Sequence, residues 1–125
     1  AGLTDLLVRI NKDWPEIEDI AITENGVAYG DEPDAKGEVN DDRRVDYLVN
    51  HLVAVSDAIE QGVPVKSYYY WSLLDNFEWA EGYAKRFGIV FVNFETLQRI
   101  PKLSANVYSK VIATNGSVLE SVRKS

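Results

Sequence analysis

Residues 19–26 read DIAITENG. A short apolar run with isoleucine at 20 and 22 stops on a carboxylate, Glu24, and then on Asn25-Gly26. β-Branched residues over so short a span predict a strand at 19–23. Asn-Gly predicts a tight turn that exposes Glu24. The flanking segments decide what kind of sheet this strand belongs to. Before it, Leu3, Leu6, Leu7 and Ile10 lie at helical spacing and Trp14-Pro15 ends the pattern, which predicts an amphipathic helix over 3–13. After it, residues 27–42, VAYGDEPDAKGEVNDD, have the composition of a long loop.

Val45, Leu48, Leu52, Val55 and Ile59 then predict a helix over 43–61, with Asp41 or Asp42 as cap and Gly62 and Pro64 as its stop. Residues 65–73, VKSYYYWSL, are aromatic and strand-like. A second long loop, DNFEWAEGYAKR, leads to a hairpin formed by 88–94 and 98–100 around Glu95-Thr96. A last helix is expected over 104–114, before Asn115-Gly116, and the tail 117–125 has no clear pattern and is read as frayed. Strands that alternate with helices imply parallel βα units, whose chemistry gathers at the carboxyl ends of the strands. Both long loops leave from such ends. Glu24 stands at the first, and Trp71 to Trp79 stand at the second.

Composition narrows the function. The chain has 125 residues, 46% of them hydrophobic, enough for a packed core within a single domain. A net charge of −7 argues against a nucleic-acid backbone as partner. No apolar run approaches the roughly 20 residues of a bilayer span, so no membrane partner is expected. The start, AGLTDLLVRINKDW, lacks the marks of a signal peptide. There is no cysteine, hence neither a disulfide framework nor a thiolate metal site. The acidic loop 30–42 does not follow the EF-hand spacing, and no metal site is expected. His51, the single histidine, reads as a packing residue of the long helix.

Residues 71–88, WSLLDNFEWAEGYAKRFG, interleave Trp71, Phe77, Trp79, Tyr83 and Phe87 with Asp75, Asn76 and Glu78. Flat aromatic rings suit the CH faces of a pyranose, and carboxylates accept from its hydroxyls. Any one tryptophan here is as readily core packing.

Together, ITENG at 22–26 and WSLLDNFEWAEGYAKRFGIVFV at 71–92 resemble the C-terminal part of family 1 glycoside hydrolases, the β-glucosidase family. The resemblance runs from about Ala1 to Gly116. It implies a (β/α)₈ barrel, of which this chain supplies the seventh and eighth βα units, and an enzyme that hydrolyses β-glycosides with retention and without a cofactor. It implies that Glu24 is the nucleophile and that Glu78 and Trp79 contact glycone hydroxyls. Trp71 is then the platform under the sugar, and Phe87 lines the pocket. Asp75 reads as structural. A phosphoglycoside hydrolase of the same family would replace Glu78, because a carboxylate there repels a sugar phosphate. A neutral glycone is therefore expected, and Lys85-Arg86 read as solvated or paired.

The family's second carboxyl lies in an Asn-Glu-Pro motif that does not occur in these residues. Two parallel strands cannot close a barrel of eight, and such a barrel takes roughly 200 to over 400 residues. The chain is therefore expected to be a C-terminal piece, inactive and not stably folded alone, whose partner is the N-terminal part of the same barrel, in the same or a separate chain. The other reading is a non-catalytic fragment used in assembly. The absence of cysteine and the wording of the motifs lean towards the cytoplasm. Asn93 stands where the family usually has aspartate, and Asn106-Val107 stand where it often has an aromatic pair, which puts hairpin and last-helix packing in question.

Overall fold

The computed structural model describes residues 2–123. Its elements in chain order are α1 (Gly2–Asp13), β1 (Ile20–Asn25), α2 (Asp42–Glu60), β2 (Val65–Tyr70), β3 (Val90–Val92), β4 (Arg99–Pro101), α3 (Leu103–Ala113) and α4 (Glu120–Arg123). β1 and β2 pair in parallel across the α2 crossover, as alternating strands and helices require. β3 and β4 form the antiparallel hairpin.

The core lies between the helices and one face of the β1–β2 pair. Leu7, Val55, Ala58 and Val63 are buried together, with Leu3, Val8, Ile20, Ile22, Val65 and Tyr68 packed against them. Thr4 ties α1 to α2 by donating its hydroxyl to the Ala54 carbonyl at 3.0 Å. On the other side of α2, Tyr108 of α3 sets its ring near those of Tyr68 and Tyr70, each centroid 6.3 Å away. Among the described residues β1 and β2 have no further strand neighbours. Ala21, Thr23, Lys66 and Tyr69 on the two strands are exposed. Parallel sheets are normally covered on both faces.

Several boundaries differ from the sequence reading. β2 stops at Tyr70, and the Trp71–Ser72 peptide that follows is cis. Neither candidate aspartate caps α2 through its side chain. Asp41 instead accepts from Arg44 and from the backbone and hydroxyl of Ser104. α2 does end as expected, with Gly62 at φ +87° and Val63 donating back to Ala58. Asn93 serves the hairpin turn well, because its Oδ1 accepts from the amides of Glu95 and Thr96 at 2.9 and 3.0 Å. The stretch read as frayed is helical at 117–119 and 120–123, with Leu119 buried. Residues 124 and 125 lie outside the described residues.

Candidate active site

Glu24 is set by an irregularity in β1. From Ile22 to Asn25 the strand takes one more residue than its partner takes from Tyr68 to Tyr70. An extra residue of this kind re-aims the side chains beside it. Thr23 and Glu24 are both exposed, while Asn25 turns back towards the helices. There Asn25 Oδ1 accepts from the Tyr68 hydroxyl at 2.6 Å, and its Nδ2 donates to Tyr47 Oη at 3.2 Å. Asn25 is thus a strand residue and forms no turn. Among the described residues no hydrogen bond or ion pair reaches the Glu24 carboxylate.

Glycine at 26 answers a different need from the one its sequence suggested. A Cβ there would lie 1.8 Å from the Trp71 carbonyl oxygen. The Trp71 amide donates to the Asn25 carbonyl at 2.9 Å. The two strand ends are therefore pressed together, and only a bare backbone fits between them. Gly26→Ala must push the Trp71 peptide away from Glu24. In the complete enzyme it is expected to lower turnover about 100-fold, the scale of an ångström's misplacement. Parent-like kcat/KM would show that this contact does not matter.

Trp71 is partly exposed, and its Nε1 points at Glu78 Oε1 at a long 3.4 Å. Phe87 is half-buried and accepts at its carbonyl from the Ser72 amide at 3.2 Å, which holds it beside Trp71. Trp79, on a short 3₁₀ turn at Trp79–Glu81, has φ +43° and is 86% exposed. The structure thus brings Glu24, Trp71, Glu78 and Phe87 to one end of the sheet, with Trp79 free at the rim. Concavities of about 520 Å³ between α2 and α3 and about 370 Å³ beside Tyr29 contain none of these five residues. Glu24 therefore stands on an open surface of this chain.

Beneath the loops runs a chain of alternating buried charges: Asp41, Arg44, Asp31, Lys102, Asp75, Arg86. Arg44 Nη1 lies 2.5 Å from Asp41 and 2.6 Å from Asp31. Lys102 Nζ lies 2.6 Å from Asp31 and 2.9 Å from Asp75, and Arg86 lies 2.8 Å from Asp75. Arg44 Nη2 also donates to the Arg86 carbonyl at 2.7 Å, closing the chain into a ring. Asp75 further accepts from the amides of Gly88 and Val92. Its structural role follows from these partners. Burial works against the charge of Arg44, yet Asp41 and Asp31 hold the guanidinium above its ordinary range. Arg86 also lies over the rings of Phe91 and Phe94, while Lys85 is exposed.

Sequence reading missed this ring, although one signal was present. Lys102 is the N-cap of α3, where the helix dipole disfavours a cation. A lysine at that place needs carboxylates, and two of them reach it. Asp31, from the acidic loop, is buried against Lys102 and Arg44, and Asp41, read as a cap, is buried against Arg44 and Ser104.

The family model for "Glycosyl hydrolase family 1" matches residues 1–117. Beta-glucosidase A of Acetivibrio thermocellus is 50% identical over 115 residues, 92% of this chain and 25% of that protein. The family 1 β-glucosidase of Thermotoga maritima superposes with a TM-score of 0.89 at 47% identity, covering 92% of this chain and 26% of that one. Its complex with glucoimidazole gives the same values. The chain spans about a quarter of the length of the relatives it matches, and its parallel βα pair is part of their TIM-barrel architecture. The chain belongs to glycosyl hydrolase family 1.

Proposed function

We propose that this chain is the C-terminal part of a retaining β-glycosidase, supplying the seventh and eighth βα units of its barrel. Glu24 is the nucleophile. It attacks the anomeric carbon of a terminal β-glycoside and forms a glycosyl-enzyme, while an acid supplied by the upstream part of the barrel protonates the departing oxygen. The same group, as base, then activates water to release the sugar with its configuration retained. The observation that carries this reading is the meeting of two parallel strand ends. They set an exposed carboxylate, Glu24, beside a partly exposed tryptophan, Trp71, and a second carboxylate, Glu78.

The remaining roles are those the family resemblance implies. Trp71 offers a ring face to the sugar, and Phe87 closes the pocket wall beside it. Glu78 accepts from glycone hydroxyls, and Trp79 reaches a neighbouring hydroxyl from the rim. The upstream segment covers the open face of β1 and β2 and brings the donors that Glu24 lacks in this chain. With one carboxyl of the required pair, residues 1–125 alone do not turn over. Among the described residues no helix is long and apolar enough to cross a membrane.

The test is hydrolysis of an aryl β-glucoside by the complete polypeptide, with the first-formed anomer read by NMR. The β-anomer is expected, and the α-anomer would overturn retention. Glu78→Ala is expected to cost about 1–3 kcal/mol of glycone recognition through unpaired hydroxyls, seen as a roughly 5- to 150-fold loss in kcat/KM. A 6-phosphoglucoside cleaved better than the plain glucoside would replace this reading with a phosphoglycoside hydrolase.

A further inference from the structure

Asn25 is the neighbour of Glu24, yet its side chain lies on the opposite side of the sheet. It is held there from two sides. Tyr68 of β2 donates to Oδ1 at 2.6 Å, and Nδ2 donates to Tyr47 of α2 at 3.2 Å. Tyr47 is itself fixed, stacked on His51 with ring centroids 3.9 Å apart. His51 Nδ1 also donates to the Tyr47 carbonyl at 2.7 Å. Burial raises the Tyr68 phenol well above its ordinary value, so it remains a donor throughout the working range. The Asn25 carbonyl meanwhile accepts from Trp71. Side chain and backbone of one residue are thus pinned to α2, to β2 and to the second loop.

We propose that Asn25 is a positioning residue for Glu24: its amide, locked between the Tyr68 and Tyr47 phenols, fixes the extra residue in β1 that aims the Glu24 carboxylate at the open face. This rests on the reading of Glu24 as nucleophile. Without the lock, the strand end can relax to plain alternation, which rotates Glu24 away from the anomeric carbon. Sugar binding by Trp71, Glu78 and Phe87 does not depend on that rotation, so kcat and KM part company.

The experiment uses the complete enzyme with Asn25→Leu, Asn25→Asp and Tyr68→Phe. Asn25→Leu is expected to lower kcat about 100-fold. It should slow labelling of Glu24 by a 2-fluoroglycoside equally, with KM changed less than about threefold. Tyr68→Phe keeps the Tyr47 bond and loses roughly tenfold. Asn25→Asp accepts from both phenols and recovers much of the rate, but its charge beside Glu24 moves the acid limb of the kcat profile to higher pH. A packing role alone would not part kcat from KM. Should the leucine variant fail to fold, the other two still decide. Parent-like labelling rates, or kcat and KM moving together, would overturn the proposal. Glu24→Gly separates the two claims. If it keeps turnover, the nucleophile reading itself fails. If it is dead while the Asn25 variants label normally, only the positioning role falls.

Discussion

Glu24→Gly in the complete enzyme is expected to lower turnover by a factor on the order of 10⁴ to 10⁶, as loss of a covalent nucleophile does. Glu24→Gln should still bind the neutral glycoside, because the aromatic walls and Glu78 remain, while losing turnover. The glycine variant leaves a small void where the carboxylate stood. Azide placed there can attack the anomeric carbon as the aglycone departs with a proton from the upstream acid, giving the α-glycosyl azide. In the parent, a 2-fluoroglycoside should label the peptide that contains residues 20–25 and no other. Unchanged turnover in either variant, or label on another peptide, would remove Glu24 from the mechanism.

The second large effect is structural. Lys102 is fully buried and is the one cation shared by Asp31 and Asp75. Lys102→Met keeps most of the volume and removes the charge. It leaves three buried carboxylates facing Arg44 and Arg86 alone. Breaking a buried pair in this way costs about 3–5 kcal/mol, to be read as a lowered urea midpoint of the complete enzyme. Lys102→Met combined with Asp31→Asn restores the charge balance and should recover part of the loss, since the two sites are coupled. A single variant within about 1 kcal/mol of the parent would mean the ring contributes little.

How much of this was legible in the sequence depended on how local the cause was. The helices over 42–60 and 2–13 announce themselves by apolar spacing within a few turns, and β1 by its isoleucines. The parallel pairing followed from their order. The five candidate site residues were read from the resemblance of two motifs, and four of them lie at one strand end. What escaped reading depends on partners far along the chain. The shift at Glu24 is a matter of register against Tyr68 and Tyr70, and a strand's own sequence does not state its register. Gly26 looked like a turn former until Trp71, far along in sequence, was seen to press on it. Asp31 did not stand out in its acidic loop because its partner Lys102 lies 71 residues away. The last turn at 117–123 forms because Leu119 finds a buried place, which composition does not reveal.

The ring of charges has a consequence for how such a protein can be divided or recombined. Its three anions and three cations all fall between residues 31 and 102. The segment is electrically self-sufficient: a break in the polypeptide upstream of Ala1 strands no buried charge of this ring. The two loops, by contrast, share its members, with Asp31 and Asp41 from the first and Asp75 and Arg86 from the second. Exchanging either loop alone with a relative breaks the alternation of sign unless those residues travel with it. Exchange of the whole segment keeps it. Shuffled libraries of such barrels should therefore tolerate crossovers before residue 1 and reject those between Asp41 and Asp75.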